Sequence, residues 1–324
     1  MYRAATKEFW KGRVDVHDGE LGLRWHQAVQ LLDLSKGLPE AAPDAVAFAF
    51  LGFCSEEGVR RNQGRPGAGG GPAALRAAMA SFAYHLHGSV QLYDAGDVLC
   101  SGGNLEEAQE QLGKKVALLL THGYRPLVLG GGHEIAYGHF LGLQQVTAQR
   151  QLGILNFDAH FDLRSYAQQA SSGTPFLQIA DALQAQEKPF RYKVLGLQEH
   201  ANTRILFQTA DELQVRYTYA KDVQAHRVGQ LKQELQEYLE EVDQVYVTVD
   251  LDVFAGAYAP GVSAVNALGL QPEVVLELLQ YVAQSGKLLS LDIAELNPAF
   301  DTDNRTAKLG AALLYKVVRE WQKV

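Results

Sequence analysis

Three short segments hold acids and imidazoles at spacings that chemistry can use. Asp158, His160 and Asp162 alternate in the run Asn156-Phe-Asp158-Ala-His160-Phe-Asp162. Asp250 and Asp252 alternate in Thr248-Val-Asp250-Leu-Asp252, and His133 follows three glycines in Gly130-Gly-Gly-His133-Glu134. In an extended chain residues two apart point the same way, so each alternating group presents its polar side chains from one face. Four carboxylates and two imidazoles, with no sulfur, suit Mn2+ or Mg2+ better than a structural zinc ion. Without a cation four clustered carboxylates would repel, and some would stay protonated. Two divalent ions about 3.5–4 Å apart would neutralise the four charges and hold a water between them. A dication can bring the pKa of such a water to about 7. The expected chemistry is attack of hydroxide on an electrophilic carbon.

Each segment alone has a commoner explanation. An isolated Asp-x-Asp is ordinarily a loop or a helix cap, and a histidine after glycines is ordinarily a cap or a core residue. Together, each where a strand leaves a sheet, they read as one metal site. The remaining histidines show no such grouping and read as structural. The three glycines also invite a dinucleotide reading, because they follow a strand and precede a helix. That pattern needs Gly or Ala where Ile135 stands, and an acidic residue about 20 positions further on is missing.

The segments are set in an alternation of short apolar runs and amphipathic stretches. Strands are expected over 45–53, 90–93, 126–129, 152–157, 192–195, 215–218, 244–249 and 288–293. Helices are expected over 72–87, 104–121, 134–148, 174–183, 225–239, 272–284 and 304–322. This alternation predicts an α/β protein built of βα units, with a mainly parallel sheet covered on both faces. With no Ser/Pro linker and no repeat, residues 1–324 read as a single domain carrying an irregular N-terminal arm over about 1–44. The glycine-rich stretch 64–71 is expected to be a loop at a functional edge, since sites in such sheets lie at strand carboxyl ends.

Composition narrows the function class. The 324 residues are 47% hydrophobic and 20% charged, which excludes a disordered or collagen-like chain. Twenty-nine basic against 37 acidic residues give a formal charge of −8, the wrong sign for neutralising nucleic-acid phosphates. No run of about 18 apolar residues suggests a membrane span. Two cysteines, Cys54 and Cys100, make no disulfide framework, and residues 1–13 have no secretory apolar core. The expected location is the cytoplasm, with a small molecule rather than nucleic acid or membrane as partner.

The three motifs, in this order, resemble those of the ureohydrolase superfamily, which includes arginases, agmatinases and formimidoylglutamases. Ser290-Leu-Asp292-Ile-Ala-Glu295-Leu-Asn297-Pro298 is similar to that family's last motif. The resemblance implies a three-layer α/β sandwich with a parallel eight-stranded sheet and two Mn2+ per subunit. It places His133 and Asp162 on one ion, His160 and Asp252 on the other, and Asp158 and Asp250 on both. It assigns Glu295 to the amidine or guanidine group of the substrate, so Glu295, Asp158 and Asp250 are the expected catalytic residues. It also implies a homo-oligomer.

Two departures point to one branch. Where arginases and agmatinases hold a histidine before a Pro segment, this chain has Ser172 in Ser171-Ser172-Gly173-Thr174-Pro175, and a serine holds no proton charge near neutral pH. Glu134 or a metal-bound water would then have to serve as acid. The usual Asp before the first metal histidine is Gly132. Both departures resemble formimidoylglutamases, as does Glu56-Glu-Gly-Val-Arg60-Arg61-Asn62-Gln-Gly64-Arg65. N-Formimidoyl-L-glutamate carries two carboxylates beside its amidine, and arginine's planar fork matches a carboxylate in a bidentate way. Arg60, Arg61, Asn62, Arg65, Ser172 and Glu295 are therefore the expected substrate contacts. The activity implied is hydrolysis of N-formimidoyl-L-glutamate to glutamate and formamide, in histidine degradation. The alternatives are an agmatinase-like or guanidino-acid ureohydrolase releasing urea, and a non-catalytic metal-binding relative.

Overall fold

The computed structural model of the chain describes residues 1–86, 89–147 and 149–322. His87 and Ala148, where two of the expected helices end, lie outside the described residues, as do Lys323 and Val324. The elements run β1 (Tyr2–Arg3), α1 (Trp25–Ala28), β2 (Gln30–Leu31), β3 (Val46–Cys54), α2 (Glu57–Arg61), α3 (Gly71–Ala80), β4 (Val90–Leu99), α4 (Leu105–Thr121), β5 (Arg125–Leu129) and α5 (Ile135–Val146). They continue with β6 (Leu152–Phe157), α6 (Pro175–Gln184), β7 (Arg191–Leu197), α7 (Arg204–Glu212), β8 (Arg216–Tyr219), α8 (Val228–Glu240), β9 (Gln244–Asp250), α9 (Pro272–Ala283), β10 (Leu288–Ala294) and α10 (Arg305–Trp321).

One sheet runs in the order β1-β4-β3-β5-β10-β9-β6-β7-β8, with β2 also pairing β4. Every pairing is parallel except β1 with β4. Among the described residues the sheet has ten strands rather than eight. The two extra are β1 and β2, two-residue pieces of the N-terminal arm that fasten to the β4 edge.

Both faces of the sheet are buried, which is why its central strands read as unbroken apolar runs. In β3, Phe48 and Phe50 enter one core while Ala47, Ala49, Leu51 and Phe53 enter the other. The first core is closed by α3, α8, α9 and α10, the second by α4, α5, α6 and α7. Helix α4 begins where the Asn104 side chain accepts from the Glu107 N–H, with Glu106 and Glu107 favouring the positive end of the helix dipole.

Helix α3 stops at Ala80, short of the expected residue 87. Beyond it Phe82 and Tyr84 pair their backbones with Trp25 and Leu23 of the arm, so tertiary contact overrides helical propensity. Strand β4 runs to Leu99, past the expected 93. It carries Asp94 and Asp97 inward onto the buried Arg76 guanidinium of α3.

Four neighbouring strands, β5, β10, β9 and β6, lie at the middle of the sheet. Their carboxyl ends lead directly to His133, Glu295, Asp250 and Asp158 respectively. Parallel strands side by side release their chains along one edge, which is how distant segments meet.

Candidate metal centre

His133 is fully buried, and its Nδ1 faces three carboxylate oxygens: Asp158 Oδ2 at 3.1 Å, Asp162 Oδ2 at 3.0 Å and Asp250 Oδ2 at 3.1 Å. His160 Nδ1 lies 3.1 Å from Asp252 Oδ2 and 3.4 Å from the other oxygen of Asp158. Two ligand groups result: His133, Asp158, Asp162 and Asp250, and Asp158, His160 and Asp252. Asp158 belongs to both, one oxygen to each. Asp250 belongs to the first, and its Oδ1 accepts the Asp252 N–H at 2.7 Å.

The arrangement fits a cation better than a proton. Nδ1 of His133 makes no hydrogen bond, although three carboxylates crowd it. One N–H could point at only one of them. An octahedral dication with bonds of about 2.1 Å holds neighbouring donors about 3.0 Å apart, which matches the spacing. Asp252 Oδ1 is a second buried atom without a partner.

Electrostatics points the same way. Burial pulls the His133 imidazole down, but Asp158, Asp162 and Asp250 outweigh it and hold the group well above its ordinary value. His160 is also held well above that value, by Asp252 and Asp158 against burial. Burial and the Asp158 charge push Asp162 up to about 6, and burial with the Asp250 charge pushes Asp252 well up. A site that binds protons this avidly has more negative charge than its own groups can balance.

Local backbone aims these groups. Asp158 accepts the His160 N–H at 2.7 Å and the Asn156 side-chain N–H at 2.9 Å. Asp162 and Glu295 both adopt positive φ, 49° and 64°, a conformation costly for a side chain with a Cβ and found most often where function fixes geometry. Glu295 accepts the His133 backbone N–H through Oε1 at 2.8 Å, while Oε2 is buried without a partner. Burial, then the Asp250 and Glu134 charges, raises its pKa well above the ordinary range.

These groups form the floor of a cavity of about 290 Å³. Asn62, Arg65 and Ser172, expected from the sequence, line it; Arg60 and Arg61 do not. Arg60 pairs with Glu56 and Glu57 of its own turn, and Arg61 with Glu57 and Glu106. Arg65 lines the wall but spends its donors on the carbonyls of Val262 and Ser263 and lies over the Phe300 ring. Asn297 of the last motif donates to the Arg65 and Pro66 carbonyls, tying that loop to β10. Glu134 does not line the cavity. Its carboxyl is buried and accepts from the Ser55 hydroxyl and the Gly58 N–H.

The arginine that sequence reasoning missed is Arg164. It lines the cavity, is exposed, and its guanidinium has no ion pair or hydrogen bond among the described residues. Its spacing continues the series 158, 160, 162, although this segment is not a strand and Asp162 has a positive φ. Gly173 makes room for it: a Cβ there would lie 2.7 Å from Arg164 Cδ and 3.2 Å from Asn62 Nδ2. Ala201, Asn202 and Leu206, around the start of the unforeseen α7, complete that wall.

Comparison with known proteins gives a consistent set of matches. Residues 46–319 match the arginase family. The formimidoylglutamase of Chromobacterium violaceum is 46% identical over 316 residues, covering 98% of this chain and 99% of that protein. The Geobacillus kaustophilus formimidoylglutamase is 41% identical over 325 residues, covering 100% and 99%. Among solved structures, Trypanosoma cruzi formiminoglutamase with Mn2+ superposes with a TM-score of 0.76 at 26% identity, covering 86% of this chain and 94% of that one. Bacillus subtilis formimidoylglutamase, at 23% identity and a TM-score of 0.77 over 87% and 88%, shares the fold.

Proposed function

The chain belongs to the arginase family, and from that premise we propose that it is a formimidoylglutamase, hydrolysing N-formimidoyl-L-glutamate to L-glutamate and formamide. In this reading His133, Asp158, Asp162 and Asp250 would hold one Mn2+ ion and Asp158, His160 and Asp252 the other. The chemistry such a pair would supply is a water that ionises near neutral pH and positive charge opposite a developing anion.

The protein's own groups orient the substrate. Glu295 Oε2, buried and unpartnered, accepts N–H groups of the formimidoyl amidinium and holds its carbon over the metal site. Arg164 takes a substrate carboxylate in bidentate fashion. Asn62 and Ser172 lie on the same wall and supply neutral hydrogen bonds. Water adds to the formimidoyl carbon, the bond from that carbon to the glutamate nitrogen breaks, and the nitrogen leaves with a proton. Glu134 does not deliver that proton from the cavity wall, because its carboxyl is engaged behind it.

The observation that carries the substrate assignment is charge. Five carboxylates (Asp158, Asp162, Asp250, Asp252 and Glu295) stand against two dications and the guanidiniums of Arg65 and Arg164. One positive charge is left over. Formimidoylglutamate, with two carboxylates and one amidinium, carries one net negative charge; agmatine carries two positive ones. A glutamate-release assay on the Mn2+-loaded protein tests this. Hydrolysis of formimidoylglutamate with no urea from agmatine or arginine is expected; the reverse would end the assignment. Both cysteines are free, and a reducing cytoplasm is part of the same proposal.

A further inference from the structure

A histidine that the sequence set aside as structural sits behind the metal site in a closed polar relay. His139, on α5, is fully buried. Its Nδ1 is 2.6 Å from Asp292 Oδ2 and its Nε2 is 2.7 Å from Ser290 Oγ. Ser290 Oγ donates to the Pro126 carbonyl at 2.8 Å. Tyr246 OH donates to Asp292 Oδ2. Thr248 Oγ1 donates to Asp292 Oδ1 at 2.5 Å and lies 3.0 Å from His133 Nε2. His139, Ser290, Asp292, Tyr246 and Thr248 are all 0% exposed, and none lines the cavity.

We propose that His139 and Asp292 are positioning residues that act through Thr248 to fix the tautomer and orientation of His133, so that its Nδ1 lone pair faces the first metal site. The directions follow from counting donors. The Ser290 hydrogen is committed to Pro126, so Ser290 can only accept from His139. His139 Nε2 therefore carries a hydrogen. The 2.6 Å contact between His139 Nδ1 and Asp292 Oδ2 needs a hydrogen between them, and on whichever atom it sits Asp292 Oδ1 carries none and can only accept. That carboxylate fixes the Thr248 hydrogen on Asp292 Oδ1. Only lone pairs of Thr248 then face His133, so His133 Nε2 must be the protonated nitrogen. Nδ1 is left as the metal-facing atom, among the oxygens of Asp158, Asp162 and Asp250. Partners of this kind fix which nitrogen binds and raise its basicity. Among the described residues no such relay stands behind His160, so the effect belongs to one of the two metal sites.

The proposal rests on His133 being a ligand, and Mn2+ binding tests the two separately. Metal-depleted protein is titrated with Mn2+, reading the free ion by its paramagnetic resonance signal. The parent is expected to bind two ions; fewer would overturn the ligand assignment and the relay with it. Thr248→Val, which keeps the shape and removes the hydroxyl, is expected to weaken one site about 10–100-fold and spare the other. Thr248→Ser restores the hydroxyl and should bind both ions like the parent. His139→Phe should weaken the same site, and the double variant should be no weaker than T248V alone, because both act through one link. Should H139F not fold, Asp292→Asn replaces the acceptor that fixes the Thr248 hydrogen and is expected to weaken that same site. Unchanged binding in T248V, failure of T248S to rescue, or losses that multiply in the double variant would each overturn the relay.

Discussion

Replacing Arg164 with glutamine removes the guanidinium that, among the described residues lining the cavity, is unpaired, while keeping a stem of similar bulk. A charge-assisted hydrogen bond contributes about 1.5–3 kcal/mol. Two unit charges 4 Å apart interact by about 1 kcal/mol in water and about 4 kcal/mol at an effective dielectric of 20. Arg164 is exposed, so solvent screening places its contribution toward the low end, about 1–2 kcal/mol. Arg164→Gln should therefore lower kcat/KM for formimidoylglutamate about 5–30-fold. The contact is made equally before and during reaction, so the loss should fall mainly on KM. Initial rates of glutamate release on Mn2+-loaded protein measure this. A formimidoyl amine without carboxylates should be insensitive to the change. Raising ionic strength should depress the parent more than the variant, because exposed charges are screened. Arg60→Gln is the control, since Arg60 sits outside the cavity in ion pairs with Glu56 and Glu57. If R164Q left KM unchanged while R60Q raised it, the charge argument would be refuted.

Other consequences can be checked with the same protein. Gly173→Ala should raise KM without a comparable loss of stability, because its Cβ would fall 2.7 Å from Arg164 Cδ and displace that side chain; steady-state kinetics and a melting curve separate the two. Arg76→Ala should cost about 3–5 kcal/mol in urea unfolding, since it takes the cation from the buried Asp94 and leaves Asp97 only its pair with the exposed Arg3, while Mn2+ stoichiometry stays at the parent's value. For the metal-free protein, His133 and His160 are held well above the ordinary histidine value of 6.5. A base whose folded pKa is raised stabilises the fold fully below its unfolded pKa and loses that contribution as pH rises through the folded one. The metal-free Tm should thus fall as pH rises above about 6.5, and the gap between metal-free and Mn2+-saturated Tm should widen; a gap that narrows contradicts the charge balance. At the acid end Asp97, lowered because Arg76 and Arg3 outweigh its burial, contributes stability above the ordinary carboxylate value and loses it as pH falls through its folded pKa, so D97N should flatten the acid limb of a stability–pH curve.

Much of this was legible because close spacing of like groups is a local signal. Asp158, His160 and Asp162, like Asp250 and Asp252, cluster by spacing. The turn after each strand, rather than strand alternation, aims them: β6 ends at Phe157, Asp162 has a φ of 49° and Asp252 sits in a 3-10 turn over Leu251–Val253. The central place of β5, β10, β9 and β6 then brings the groups together. What was missed depends on partners remote in sequence. Three arginines after the first long strand resemble a carboxylate clamp, yet Arg61 is taken by Glu106, 45 positions away, and Arg65 by carbonyls 197 and 198 positions away. Arg164 continued a pattern already recognised and was overlooked because the neighbouring ligands were acids and imidazoles. His139 looked structural because its partners come from β9 and β10, more than 100 positions on. The strands β1 and β2 are too short to show a period, and α7 buries only Leu206 and Ala210, too few to mark a helical face.

The most direct test of the account is the anomalous diffraction of a crystal of this protein grown with Mn2+. Two peaks are expected, one bonded to His133 Nδ1, Asp158, Asp162 and Asp250 and one to His160, Asp158 and Asp252, with bonds of about 2.1 Å. A single peak, or ions bound elsewhere with His133 Nδ1 facing no metal, would contradict it.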